Sequence, residues 1–519
     1  MEELSHLIIK LTGSLTMNGD ILKKEFGDYQ TPLEFADTVC NYLYTVLHIR
    51  PQYIIEPTAG IGNFIKSSLK YFPAVTSVLG IEMNKKYCDV CNSTISDKRV
   101  KIKCQNIFEC DLETCIENDG ETLVIGNPPW ATNAELNYNL PQKSNFKGRS
   151  GIEAITGSSN FDICEYIILR LIEAFRGKNA VIAMLCKTSV ARNLFMELNR
   201  TSAKAEYVKM LNFDSGKVFG ISAPTCLFVV KLSNSVNNTS KCVVADIYYP
   251  EKILNEIQWK DGSLFSIVQG VKDLEGSCQY EWRQGIKHDC SSVMELERVG
   301  KGIYRNKRKE EVKLEDKLVF PLIKSSHFKQ PVICEKFKKY VIVTQKKPRE
   351  DTSYIKRYAP NTWRYLESNK EQFDGRKSSI YSGAPEFSMF GVGDYSYAKY
   401  KVGISGFYKT PFFSLLYNND ELGNPIMLDD TTYFISFSNY DDAYTCMLLL
   451  NCDAVKDFLY SISFKDAKRP YTKKILQRLD FRKCVAEITI DEMIQRERKL
   501  NLKPYITENM YLNFKRKIG

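Results

Sequence analysis

Histidine is scarce in this chain. Four among 519 residues are too few to suggest a metal centre or imidazole-based catalysis, and no metal is expected. No run approaches the roughly 20 apolar residues of a membrane-spanning helix. The first residues carry acids and no sustained apolar stretch, so neither a signal peptide nor a membrane partner is expected. The 16 cysteines lack any framework spacing, which points to a reducing, cytoplasmic location rather than a disulfide-stapled secreted fold. Cys88 and Cys91 form a Cys-x-x-Cys pair, but on a predicted helix with no second couplet nearby they read as packing residues. No internal repeat is evident.

What is present is globular. With 44% apolar and 12% aromatic residues, a chain of this length can build two or three cored domains. The net charge of +10 is unevenly divided. Residues 1–240 hold 25 basic and 25 acidic side chains, residues 241–519 hold 47 and 37, and residues 301–380 alone hold 21 and 10. A surplus confined to one half is the footprint expected for a polyanion partner. Tyr304, Phe337, Tyr340, Tyr354, Tyr358, Trp363 and Tyr365 are interleaved with these basic residues, as in a nucleic-acid surface.

The chemistry is concentrated in the first half. The short apolar run Tyr53-Ile54-Ile55 ends at Glu56 and leads through Pro57-Thr58-Ala59-Gly60-Ile61-Gly62-Asn63-Phe64 into a periodic helix. A strand, a Gly-x-Gly turn and a helix start make the first crossover of a nucleotide-binding sheet, with glycines admitting a ligand close to the backbone. The third glycine of a dinucleotide fingerprint is missing, and no Gly-Lys-Ser/Thr follows to make a P-loop. A second run, Val78-Leu79-Gly80-Ile81, ends in Glu82, placed to accept the ribose hydroxyls of a nucleoside. A third strand spans 100–104 and precedes Asn106-Ile107. The fourth, Thr122 to Gly126, runs into Asn127-Pro128-Pro129-Trp130. A stiff Pro-Pro corner between an amide and an indole suits a planar group bearing an exocyclic amine. Asn127 Oδ1 and the Pro128 carbonyl are the acceptors, and Trp130 is the stacking face.

In their order these motifs resemble the DNA adenine-N6 methyltransferases of restriction–modification systems, in the gamma arrangement. There a Thr-Pro element precedes the glycine turn and a target-recognition domain follows the catalytic one. Residues Phe26 to Pro32 match the Thr-Pro element, ahead of a predicted helix over 33–46. The resemblance implies S-adenosyl-L-methionine as cofactor. Gln30, Thr31, Pro32, Glu56, Pro57, Ala59, Gly60, Gly62, Asn63 and Phe64 would surround its methionine end. Glu82 would take the ribose, Met83 and Ile107 the two adenine faces, Asn106 the adenine edge, and Asn127 would touch both cofactor and target. The family commonly has Asp where Asn106 stands. Phe219, with Phe213 as the weaker candidate, would sandwich a flipped base opposite Trp130, so the implied catalytic set is Asn127, Pro128, Pro129, Trp130 and Phe219.

The implied fold is α/β: a Rossmann-like doubly wound sheet with a late antiparallel hairpin at 208–232, followed by a mixed α+β target-recognition domain. The polar segment 233–240 marks the expected boundary, giving a catalytic domain at 1–240 and a recognition domain at 241–519 with a basic helical tail from 487. The long polar segment between Trp130 and Phe161 carries Lys143, Lys147 and Arg149, expected to clamp phosphates or cover the target base. Arg305, Lys307 and Arg308 are the DNA-contact candidates of the second half. Residues 391–408, dense in Gly, Tyr and Lys, are expected to line a backbone groove, and 441–460 to form one helix.

Double-stranded DNA is the expected substrate, with a partner endonuclease on a separate chain by analogy with restriction–modification systems. Three rivals stay open at this level: an RNA-base enzyme, a cytosine-N4 enzyme, and a catalytically silent DNA-binding protein of the same fold.

Overall fold

The computed structural model describes residues 29–112, 120–130, 162–233, 239–268 and 270–519. The chain divides into two compact units, Met1–Ile267 and Val268–Gly519. In the first unit the apolar runs form strands where the sequence predicts them. These are β1 (Tyr53–Glu56), β2 (Ser77–Glu82), β3 (Val100–Cys104), β4 (Thr122–Gly126) and β5 (Ala180–Lys187). Every residue of β4 and the first seven of β5 are buried, as parallel strands covered on both faces require. The flanking helices are α1 (Leu33–Thr45), α2 (Asn63–Tyr71), α3 (Lys85–Thr94), α4 (Ile163–Ala174) and α5 (Thr188–Arg200). Asn84 and Asp162 cap α3 and α4 through their side chains.

The first five strands pair in the order β3-β2-β1-β4-β5, all parallel. β6 (Ala205–Asp214) and β7 (Pro224–Leu232) form the antiparallel hairpin, with β7 inserted between β5 and β6. A single helical turn, α6 (Ser215–Phe219), interrupts it. This is the doubly wound sheet with a late hairpin. Chain order reverses between β1 and β4, which pair with Ile54 opposite Leu123 and Ile55 opposite Val124. The carboxyl ends of those two strands therefore flank the crevice where such sheets bind ligands.

The sheet does not stop at the predicted boundary. β8 (Lys241–Asp246) pairs in parallel with β6, and β9 (Ile253–Lys260) and β10 (Ser263–Ser266) continue it to ten strands. The segment 233–240 is thus a connection inside the first unit, which runs on to Ile267. A polar loop marks a break in local pattern, whereas a unit ends only where strand pairing ends.

The second unit holds a five-stranded and a six-stranded sheet with helices, a mixed α+β arrangement. Several expectations change here. Tyr400–Ser405, expected to line a groove, is the central strand of the five-stranded sheet, and even Lys401 on it is buried. Among the interleaved aromatics, Tyr304, Tyr340, Trp363 and Tyr365 belong to the main core, and only Tyr358 is exposed. Aromatic residues follow the core before they follow charge. The helix expected over 441–460 is two, Tyr440–Asn451 and Asp453–Ile462, broken at extended Cys452. The tail likewise forms Ile490–Lys499 and Glu508–Ile518. No described helix is long and apolar enough to cross a membrane.

Candidate active site at the ends of strands 1, 2 and 4

The glycine turn is built by backbone conformation. Gly60 (φ +53°) and Gly62 (φ +78°) are both left-handed, and Gly62 starts α2. A Cβ on Gly60 would lie 2.3 Å from Gln30 Oε1, and one on Gly62 would lie 2.7 Å from Ile95 Cδ1, so neither position accepts a side chain without displacement. The turn is tied on three sides. Its Gly60 N–H donates to Glu82 Oε2 (2.8 Å), its Ile61 N–H donates to Gln30 Oε1 (3.1 Å), and the Gly60 carbonyl accepts from Cys91 Sγ (3.2 Å). Ala59 N–H donates to the Ile81 carbonyl (2.8 Å). Cys88 Sγ donates to the Glu82 carbonyl (3.3 Å), so both cysteines of the Cys-x-x-Cys pair brace the crevice from below.

The Thr-Pro element lies against this turn. Asn63 Nδ2 donates to the Thr31 carbonyl (2.8 Å), and the Pro32 carbonyl accepts from the first turn of α1. Pro57 sits beside Gly126, across the β1–β4 pair. Thr58 Oγ1 donates to the Asn127 carbonyl (3.3 Å), linking the glycine turn directly to the tetrapeptide. Phe64, on the first turn of α2, is buried. Met83 is exposed and free to cover a ring. Asn106 Oδ1 accepts from the Phe108 N–H (3.0 Å), which fixes the half-buried side chain after β3. Ile107 is buried, its carbonyl held by Arg170 (3.1 Å).

Three buried polar atoms here, Thr31 Oγ1, Glu56 Oε2 and Asn127 Oδ1, have no hydrogen-bond partner among the described residues. Unsatisfied polar atoms in a core cost free energy, and a ligand that supplied their partners would offset that cost. Burial pushes the Glu56 carboxyl well above the usual carboxylate range. The Ile65 N–H works against that shift, and the nearby Glu82 charge adds to it. No ion pair reaches Glu56 among the described residues, so its carboxyl would suit the ammonium of an amino-acid group, with the Thr31 hydroxyl as a further unpartnered donor. Glu82 accepts from the Gly60 and Asn84 N–H groups (2.8 Å each), which holds its carboxylate at the end of β2 where a ribose is expected.

At the tetrapeptide, Asn127 Nδ2 donates to the Tyr29 carbonyl (2.8 Å). A carbonyl can only accept, so this contact fixes which end of the amide is nitrogen and leaves Oδ1 as the free acceptor. Trp130 is buried and its indole N–H donates to the Leu185 carbonyl (3.3 Å). Its ring centroid lies 5.3 Å from that of Phe219 at 80°, and Tyr29 closes a triangle at 6.1 and 6.2 Å. The expected sandwich is not preformed, because rings in edge contact leave no slot for a base between parallel faces. Phe213 is buried against Phe35 at 4.7 Å and is a core residue. Tyr29 and Thr58 carry site contacts that no local pattern signals. Tyr29 adjoins the Thr-Pro element in sequence, but its partner lies 98 residues away.

The DNA-contact candidates fare differently. Lys143, Lys147 and Arg149 lie outside the described residues. Arg305 and Arg308 pair with Glu311 (2.6 Å) and Glu310 (2.8 Å), while Lys307 shares buried Glu295 (3.0 Å) with Lys324. Among the described residues no group of three or more His, Cys, Asp or Glu side chains could hold a metal ion.

No protein-family model matches the chain. A type II methyltransferase of Nostoc sp., M.NspV, is 38% identical over 475 residues, spanning 89% of this chain and 98% of its own length. Among solved structures, the type IIG restriction endonuclease BpuSI aligns over 94% of this chain and 65% of its own at 12% identity, with a TM-score of 0.35. A type I restriction-modification methyltransferase subunit from Streptococcus thermophilus aligns over 43% and 48% at 14% identity, with a TM-score of 0.32. This chain spans less than two thirds of either structure's own length.

Proposed function

The chain belongs to the type II methyltransferase family, and from that premise we propose that it is a DNA methyltransferase acting on N6 of adenine in duplex DNA, with its motifs in the gamma order. S-adenosylmethionine, its cofactor, supplies a methyl group activated on a sulfonium. The observation that carries the adenine reading is the buried, unpartnered Asn127 Oδ1 beside the Pro128 carbonyl at the end of β4.

An arylamine nitrogen is a weak nucleophile because its lone pair is delocalised into the ring. Asn127 Oδ1 and the Pro128 carbonyl would each accept one amine hydrogen, turning the nitrogen toward a geometry that localises that pair. Rate then comes from placement and from dipoles already set. No general base is needed, since the methylated amine is acidic and loses a proton outward. A stacked base cannot enter such a pocket, so the target leaves the duplex, at a few kcal/mol of unstacking. Phe219 must then turn from its edge contact with Trp130 to meet the base. It stands half-buried on a single helical turn that ends at left-handed Gly220, so a side-chain rotation is all that is required. In this reading residues 1–267 hold the catalytic machinery, the basic second half recognises the target, and a separate chain supplies any paired endonuclease.

The test is transfer of labelled methyl to duplex DNA, followed by nucleoside separation. N6-methyladenine is expected; N4-methylcytosine, or label in RNA only, defeats the assignment. A second expected outcome concerns Phe219→Ala. With 2-aminopurine at the target position, its bound-state fluorescence should differ clearly from wild type, because one stacking partner is gone. An unchanged signal removes Phe219 from the base's path.

A further inference from the structure

We propose that Tyr29 is a positioning residue whose main-chain carbonyl sets the Asn127 amide for catalysis, and that this contact is why the tetrapeptide begins with an amide rather than a carboxylate. The inference rests on the functional reading above and deepens it. Asn127 has two ends and the fold uses only one. Its Nδ2 donates to the Tyr29 carbonyl over 2.8 Å, while its Oδ1 is buried without a partner. Were the amide turned over, two oxygens would face each other and the N–H group would point at the target amine, donor against donor. The carbonyl makes that state unfavourable before any substrate arrives.

The carbonyl is itself well held. Residue 29 leads directly into Gln30 and Thr31, whose side chain and carbonyl are bonded to Ile61 and Asn63 of the glycine turn (3.1 and 2.8 Å). The Thr58 hydroxyl fixes the Asn127 main chain from the other side (3.3 Å). The Thr-Pro element, the glycine turn and the tetrapeptide thus meet at one amide. An ionised carboxylate in that place would set an oxygen against the Tyr29 carbonyl and rotate away. A protonated one could donate its O–H to the carbonyl and still offer its other oxygen to the amine.

The test is the pH profile of Asn127→Asp. Titratable groups at neighbouring strand ends, Glu56 on β1, Glu82 on β2 and the pair of Lys187 on β5 with Asp162 at the start of α4 (3.0 Å), are shared with wild type. The quantity to follow is therefore the ratio of variant to wild-type kcat at saturating cofactor and DNA. That ratio should fall about tenfold per pH unit once the pH exceeds the pKa of the introduced carboxyl. A ratio independent of pH, whether the variant is active or dead throughout, overturns the proposal. If the variant does not bind cofactor, a backbone change decides: an ester in place of the 29–30 amide, made with the α-hydroxy analogue of glutamine. The weaker acceptor should lower kcat about three- to tenfold with cofactor Kd unchanged; an unchanged kcat refutes the role. Wild type inactive on DNA would fail the functional reading itself, a result visible before any variant is made.

Discussion

Alanine at position 127 is expected to lower methyl transfer about 10²- to 10³-fold while cofactor affinity stays close to that of wild type. The side chain offers one unpartnered acceptor, Oδ1, and its other end is spent on Tyr29. Truncation removes the acceptor and leaves the glycine turn intact, because that turn is held by Gln30, Glu82 and Cys91. The loss should fall on kcat, since the interaction matures only as the amine nitrogen localises its lone pair. Calorimetric titration with cofactor and single-turnover transfer to duplex DNA check the two halves separately. Turnover within tenfold of wild type would falsify the role given to this side chain.

The second large effect has opposite signs in two measurements. Glu56→Gln should stabilise the unliganded protein and weaken cofactor binding about 10- to 100-fold. The wild-type carboxyl is fully buried with Oε2 unpartnered, and burial raises its pKa well above the ordinary value. A group whose pKa is raised on folding contributes stability that is full below the unfolded value and lost as pH climbs through the folded one. Unliganded wild type should therefore weaken as pH rises above the ordinary carboxylate range, and Glu56→Gln should lack that part of the decline. Near neutral pH the variant gains on the order of 1–3 kcal/mol, or several degrees in Tm. Cofactor binding reverses the comparison, because an ammonium offsets the buried charge and an amide does not. Thermal melts across pH, with and without cofactor, read out both. A variant less stable than wild type without cofactor removes the claim that Glu56 is held against its preference.

These two residues were also the easiest to read from sequence, for a common reason. Glu56 and Asn127 each follow a short apolar run, and a parallel strand buried on both faces announces itself by that run. Polar residues at such ends have few places to go except the crevice. The Tyr29 contact was not legible, because it joins a backbone carbonyl to a side chain 98 residues away and leaves no pattern in either segment. Phe64 and Phe213 are both buried, and an aromatic beside a motif serves the core as readily as a ligand. In the second unit, clustered Lys and Arg looked like an open basic face, yet Arg305, Lys307 and Arg308 each found a carboxylate. Two of those partners lie within six residues, and Glu295 of the Lys307 pair is buried. Net charge survives such pairing, but a local surface does not follow from it. The place of β8–β10 in the sheet was not legible, because it depends on β8 pairing with β6 and on β9 and β10 following in turn, and β9 shows little alternation of burial.

The double use of Glu82 has a kinetic consequence. One acid ties the bend at Gly60 and the start of α3 at Asn84 together before any donor molecule arrives. A seat already laced loses little disorder on filling, so exchange of a spent methyl donor for a fresh one need not wait for a loop to fold. Reloading of the donor would then stay fast beside the methyl-transfer step.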